Sequence, residues 1–511
     1  MQHLLRRFKH LTEQFKGKKY VYNNFAIYGY VGIPFAAPPL KDRRFRTPEP
    51  LKNWTGVYRP DKWPKCCHPY NEDCLYLNVF VPINKDSDGL LPTVVWIHGG
   101  AFQYGSGNRL RPHYFMRNNN MVFVTIEYRL GPLGFLYSGT KDAPGNMGLM
   151  DQQLALKWVK DNIMSFGGDN NQITAFGYSA GAASVHYHLI SPKSKGLFQK
   201  AIFVSGTVTS SFAFTPRSIM QRYFQKIVEY YKCDRDSVEE KVDCLRALPA
   251  NVVAQAIRAL PNGAGLHPTV DGELITERPS RLIEQHSTVP ILVISNKDEG
   301  VGWARRFFQS NMKTPSAIRQ RMEDMFDDIP NYRREQILKA YFDNKTMSSL
   351  TNARIASANV MSDFVNLCPQ RDLANDFWPE GQEFVDHVAV HPFIYGSFMD
   401  SPEFSEEEKK MGERINRMLT NFVVNGRLAS DEDDWKNQAT VSNGQFLEIS
   451  LRSEQKRTKW PRSKTCEIWT ALKNSDGEIP SFLLTENILE LHRRLSFQNR
   501  FEIYGNLKNY E

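Results

Sequence analysis

The run Gly177-Tyr178-Ser179-Ala180-Gly181 limits what this chain can fold into more than any other feature, because of what flanks it. Gln172-Ile173-Thr174-Ala175-Phe176 reads as a buried strand, and Ala182 to Ile190 reads as a helix. A serine on so tight a strand-to-helix turn has its hydroxyl lifted clear of the sheet, and glycines on both sides let neighbouring backbones pass close by. The helix N-terminus behind it aims amide N–H groups at any negative charge that forms there. The competing reading is an ordinary glycine-rich turn with no chemistry.

The surrounding segments continue the alternation. Thr93 to His98 and Met121 to Ile126 are near-continuous apolar, β-branched runs, suited to strands buried on both faces. Residues Met150 to Met164 carry apolar side chains at helical spacing and end at Gly167-Gly168, and Ala201 to Val204 reads as another strand. Strand, helix, strand and helix in succession imply parallel pairing with right-handed crossovers. Beyond about residue 210 the pattern is mostly helical, broken by one clear strand at Pro290-Ile291-Leu292-Val293-Ile294. No linker composition separates these parts, so residues 21–511 are read as a single domain behind a basic tail, residues 1–20.

That tail holds +5 of the net charge of +8, leaving too little elsewhere for a nucleic-acid surface. No apolar run follows its basic residues as a signal peptide requires, and no stretch of about 18 apolar residues suggests a transmembrane anchor. Seven cysteines, Cys66, Cys67, Cys74, Cys233, Cys244, Cys368 and Cys466, lack metal-ligand spacing. No metal or other cofactor is expected. Six of the cysteines suffice for three disulfides, which suits an oxidising, extracellular compartment, whereas the missing signal peptide suits the cytoplasm.

A second motif, Trp96-Ile97-His98-Gly99-Gly100-Ala101-Phe102, closes one of the buried strands. Small residues here leave backbone amides uncrowded, so the N–H groups of Gly100 and Ala101, with that of Ala180, are candidates for a three-donor oxyanion hole. With these motifs in place the chain resembles the type-B carboxylesterases, the family that includes cholinesterases and insect and nematode esterases. Further matches are Glu72-Asp73-Cys74-Leu75-Tyr76-Leu77-Asn78-Val79, Tyr128-Arg129-Leu130-Gly131, Gly145 to Gln152, and Phe166-Gly167-Gly168-Asp169. The resemblance implies an α/β-hydrolase fold, with a large mixed, mostly parallel sheet flanked by helices and an apolar gorge leading to the serine.

A serine nucleophile needs a histidine base oriented by a carboxylate, in the chain order serine, acid, histidine. Asn296-Lys297-Asp298-Glu299-Gly300 is similar to the family segment that supplies the acid, which makes Glu299 the candidate and Asp298 its alternative. The spacing from His387 to Phe393-Ile394-Tyr395-Gly396, expected to form a strand, matches that of the family's catalytic histidine, so the resemblance implies His387 as the base over His391. Val388 stands where relatives carry glycine. Tyr178 takes the place of a glutamate found in many relatives, which removes a negative charge beside the base and makes it a candidate substrate contact.

The resemblance also implies pairing of Cys233 with Cys244 and of Cys368 with Cys466, while either Cys66 or Cys67 is expected to bond Cys74. The interval from Cys67 to Cys74 is too short for the choline-binding loop of cholinesterases. Ion pairs Arg44–Glu72 and Arg129–Asp169 are expected, and the family's N-terminal β-hairpin is expected to be missing or replaced by the basic segment. Asn53 and Asn344 sit in glycosylation sequons that matter only in a secreted chain. The expected function is hydrolysis of small, uncharged, apolar carboxylic esters through an acyl-enzyme. Alternatives on the same fold are an acyltransferase using the same serine and an inactive, neuroligin-like binding protein.

Overall fold

A computed structural model of the protein describes residues 17–22, 25–51, 63, 66–67, 71–83, 89–110, 112–117, 120–260, 265–283, 289–295, 299–300, 312–326, 329–370, 383–386, 404–426, 446–449, 454–457 and 465–469. Eleven strands of these residues form one sheet: β1 (Lys18–Tyr22), β2 (Phe25–Pro34), β3 (Tyr76–Pro82), β4 (Leu91–Ile97), β5 (Val122–Ile126), β6 (Gly168–Tyr178), β7 (Lys200–Val204), β8 (Ile291–Ser295), β9 (Glu383–Asp386), β10 (Phe446–Ile449) and β11 (Glu454–Arg457). Their order is β1-β2-β3-β5-β4-β6-β7-β8-β9-β10-β11. From β5 through β10 all neighbours are parallel, and antiparallel pairs close both ends. This is the mixed, mostly parallel sheet that the motifs imply.

Period-two alternation sends each central strand's side chains to two cores. Val95 and Ile97 of β4, with Ala201 and Phe203 of β7, face one apolar cluster; Val94 and Trp96, with Ile202 and Val204, face the other. The first core is roofed by helices α1 (Met147–Asn162), α2 (Ala180–Ile190), α3 (Arg217–Tyr230) and α4 (Leu350–Ser362). Helix α5 (Glu406–Asn425) covers the second through Met411, Ile415, Met418, Leu419 and Phe422, a single stripe at helical spacing. A Ser405–Glu408 capping box starts α5, and Gly426 at φ 72° stops it. No helix among the described residues is long and apolar enough to cross a membrane.

Three expectations are corrected. An N-terminal hairpin is present: β1 pairs antiparallel with β2 from Lys18↔Gly29 to Tyr22↔Phe25. Its lysines point outward, as suits an edge strand, while Tyr20 and Tyr22 pack on the second core; the charges disguised the alternation. The region beyond residue 210 adds β9, β10 and β11 to β8, the strand expected at residues 290–294. Each is four residues long and carries at least one charged residue, so none shows the β-branched run that marks a central strand. The strand expected at residues 393–396 lies outside the described residues.

The third correction concerns Arg129, which pairs with Asp151 rather than Asp169. Its Nε and Nη2 meet the two Asp151 oxygens at 2.8 Å each, and its amide donates to Oδ2 at 3.0 Å. Asp169 lies at the amino end of β6, where it accepts from the Asn171 amide and from Gln172. Arg129 follows the carboxyl end of the parallel strand β5, so the length of the sheet separates the two. The Arg44–Glu72 pair is present, with both contacts at 2.6 Å. Disulfides join Cys67 to Cys74, Cys233 to Cys244 and Cys368 to Cys466, so Cys67 is the partner of Cys74.

Asp151 is fully buried, and its removal strands the Arg129 guanidinium without its counter-ion. Asp151→Ala is therefore expected to lose about 3–5 kcal/mol of stability, read from the urea midpoint. A loss below about 1 kcal/mol would show that water or another group satisfies Arg129.

Candidate active site

Strand β6 delivers Ser179 to the carboxyl edge of the sheet, and α2 begins at the next residue. Ser179 sits at φ 55° and ψ −121°, a conformation that L-residues adopt only when their surroundings force it. The surroundings here are backbone. The Ser179 amide donates to Val204 O at 2.8 Å, and its carbonyl accepts from the Ala183 amide at 3.0 Å. A Cβ on Gly181 would fall on the Ile97 carbonyl, and one on Gly206 would fall on the Ser179 carbonyl. The motif glycine and the glycine after β7 thus permit three chain segments to meet at the serine. Ser179 and Tyr178 are partly exposed; the Tyr178 ring rests against the second core.

The turn after β4 abuts this elbow. A Cβ on Gly99 would stand 2.5 Å from the Tyr178 carbonyl and 2.9 Å from Ser179 Cβ, so only glycine fits. Gly100 at φ 123°, Ala101 at 51° and Phe102 at 60° then turn the chain sharply. Gly100 O accepts from the amides of Gln103 and Tyr104, which leaves the N–H groups of Gly100 and Ala101 outside that internal bonding. The segment after β5 braces the turn from behind. The Tyr128 hydroxyl donates to His98 O at 2.8 Å, and the Gly131 amide donates to Phe102 O at 2.7 Å. Arg129, held by Asp151, fixes that brace between the two contacts.

Glu299 lies just beyond β8. The hydroxyl of Ser205 donates to its Oε1 at 2.6 Å, and Asn366 Nδ2 approaches Oε2 at 3.5 Å. Ser205 immediately precedes Gly206, the residue pressed against the Ser179 carbonyl, so two adjacent residues link Glu299 to the serine. Gly300 packs into the end of α4, its amide donating to Ser362 Oγ at 2.8 Å. Ser205 and Asn366 were not singled out in the sequence. The signal for Ser205 was its place after β7, opposite the acid; Asn366 carried none. β9 pairs in register with β8 up to Ser295↔Asp386, one residue before His387. His387 itself lies outside the described residues, as do Asp298, Val388 and His391.

Three other histidines are buried and held neutral by desolvation. His188 is pushed down to about 3 and His186 likewise, and His267 to about 4. His188 is fixed between Ser194 and Gln152, and His267 lies beside Thr215. They belong to the packing of the core.

The sequence model of the carboxylesterase family matches residues 11–469. The chain belongs to the carboxylesterase family. It is 45% identical to venom carboxylesterase-6 of Apis mellifera over 241 residues, 45% of this chain and 43% of that protein. It is 38% identical to esterase FE4 of Myzus persicae over 315 residues, 57% of this chain and 55% of that protein. Against cholinesterase of Mus musculus the identity is 33% over 501 residues, 87% of this chain and 83% of that protein. The matches to the insect carboxylesterases thus span about half of their length. The α/β-hydrolase fold of the family accords with the sheet described above.

One carboxyl at the site's edge is unusual. Glu127, just past β5, is wholly buried, and desolvation raises it from 4.5 to about 8 despite bonds from Ser106 and the amides of Gly107 and Asn108. The unfolded chain releases this proton near 4.5 while the folded one keeps it, so stability falls as pH rises between these values. Relative to Glu127→Gln, the native protein is expected to lose about 1.4 kcal/mol per pH unit across roughly pH 5 to 8, seen in paired urea midpoints. Parallel curves would mean the carboxyl ionises freely in the fold.

Proposed function

We propose that this carboxylesterase-family chain is a serine hydrolase of carboxylic esters, with Ser179 as nucleophile, His387 as base and Glu299 as the acid that orients it. The reading is carried by the strained Ser179 elbow, whose carbonyl touches the residue next to the one that holds Glu299. Strain of this kind persists only where the fold over-determines it, and it presents the hydroxyl at the carboxyl edge where helix α2 begins.

In the proposed reaction His387 takes the Ser179 proton as the oxygen attacks the ester carbonyl. The N–H groups of Gly100, Ala101 and Ala180 receive the oxyanion, and the imidazolium then protonates the departing alcohol. Water, activated by the same histidine, releases the acid from the acyl-enzyme. The relatives named carboxylesterase and esterase support this class of substrate. Tyr178 in place of a carboxylate, and only six residues between Cys67 and Cys74, support a neutral ester over a choline ester.

An organophosphate probe is expected to label the native protein and not Ser179→Ala. Glu299→Gln and His387→Ala are each expected to lower kcat about 10³- to 10⁴-fold on a short-chain aryl ester. Native protein that neither labels nor turns over such esters would refute the proposal. A choline ester hydrolysed faster than its uncharged isostere would refute the substrate preference.

A further inference from the structure

Behind the proposed oxyanion turn lies a buried polar cluster that the hydrolytic reading does not use. The Glu127 carboxyl receives the Ser106 hydroxyl on Oε1 at 2.6 Å, and its Oε2 lies 3.8 Å from His98 Nε2. Both side chains are essentially excluded from solvent. On the far side of the imidazole, Nδ1 is 2.9 Å from the Gly99 carbonyl oxygen. A carbonyl can only accept, so Nδ1 carries a proton and Nε2 is the atom turned toward the carboxyl. The ring is clamped in that orientation. Tyr128 stacks on it with centroids 4.4 Å apart, and Gly105 presses on it so closely that a Cβ would meet the Nδ1 edge.

We propose that Glu127 and His98 form a positioning pair that holds the Gly99 carbonyl, and through it the amides of Gly100 and Ala101, in the geometry that receives the oxyanion. The inference rests on the reading of Ser179 as nucleophile. The pair holds one proton beyond the one on Nδ1. Whether that proton resides on the carboxyl or on Nε2, the pair is neutral while it is present and carries one negative charge once it leaves. Burial favours the neutral state up to about pH 8. An anionic pair behind the turn opposes a second negative charge forming in front of it, so the loss falls on the transition state rather than on binding.

Among the described residues, the groups facing the carboxyl come from every neighbouring segment. His98 immediately follows β4, and Ser106, the amides of Gly107 and Asn108, and Arg109 belong to the following turn. Strand β3 reaches this segment only through other atoms: the Glu127 backbone amide donates to the Tyr76 carbonyl, and the Asn78 side-chain amide donates to Asn108. Arg109 is exposed and favours the anion only weakly, being the last of the influences on the carboxyl.

The test is a pH series of kcat and KM on an uncharged aryl ester for native protein, Glu127→Gln and Ser106→Ala, each normalised to sites titrated by an organophosphate. Native kcat is expected to fall several-fold above about pH 8 with KM unchanged. Glu127→Gln is expected to lose that alkaline limb, and Ser106→Ala, deprived of a bond that stabilises the anion, to move it to higher pH. Glu127→Gln and native profiles that superimpose would overturn the inference. If Glu127→Gln does not fold, a Ser106→Ala limb that stays in place overturns it instead. Absence of any labelling in the native protein would overturn the nucleophile assignment itself, which is a different result.

Discussion

Three backbones converge at the carboxyl edge of the sheet, and much of the site depends on their being able to do so. Gly99 after β4, Gly181 at the start of α2 and Gly206 after β7 each occupy a place where a Cβ would overlap a neighbouring main chain. Close approach of this kind fixes the serine's position without side-chain contacts, because carbonyl and amide groups are less free to move than rotamers. It also explains the left-handed torsions at Ala101, Phe102 and Ser179: the chain is threaded through a space that leaves it no relaxed alternative.

The second layer of support is polar and comes from the segment after β5. Tyr128 and Gly131 bond the turn from behind, while the buried Arg129–Asp151 pair anchors the segment to helix α1. A buried ion pair adds little net stability by itself, since desolvation offsets most of the attraction. Its geometry, with two parallel bonds and a third from the backbone, is instead a device for holding one orientation. The same logic applies to Ser205 and Asn366 around Glu299.

The central strands were legible in the sequence because their environment is simple. Strands β4, β5, β7 and β8 and the carboxyl half of β6 are buried on both faces, and apolar runs announce them. The strand–turn–helix at Ser179 and its flanking glycines were legible because they obey a local rule. β1 was not, since outward lysines on an edge interrupt the alternation. β9, β10 and β11 were not, since four-residue strands draw their stability from partners far along the chain. Arg129 was matched with the wrong acid because pairing by motif carries no measure of distance across a sheet. Ser205 and Asn366 were missed for the same reason: the contact with Glu299 spans 94 residues in one case and 67 in the other.

The Cys368–Cys466 disulfide closes a loop of 98 residues that contains β9, His387, α5, β10 and β11. A protease that cuts anywhere inside this loop severs the chain without releasing a fragment. The two pieces would migrate as one species until a reductant is added. The bond therefore makes the histidine-bearing part of the protein tolerant of nicking, and it ties that tolerance to the redox state of the surroundings.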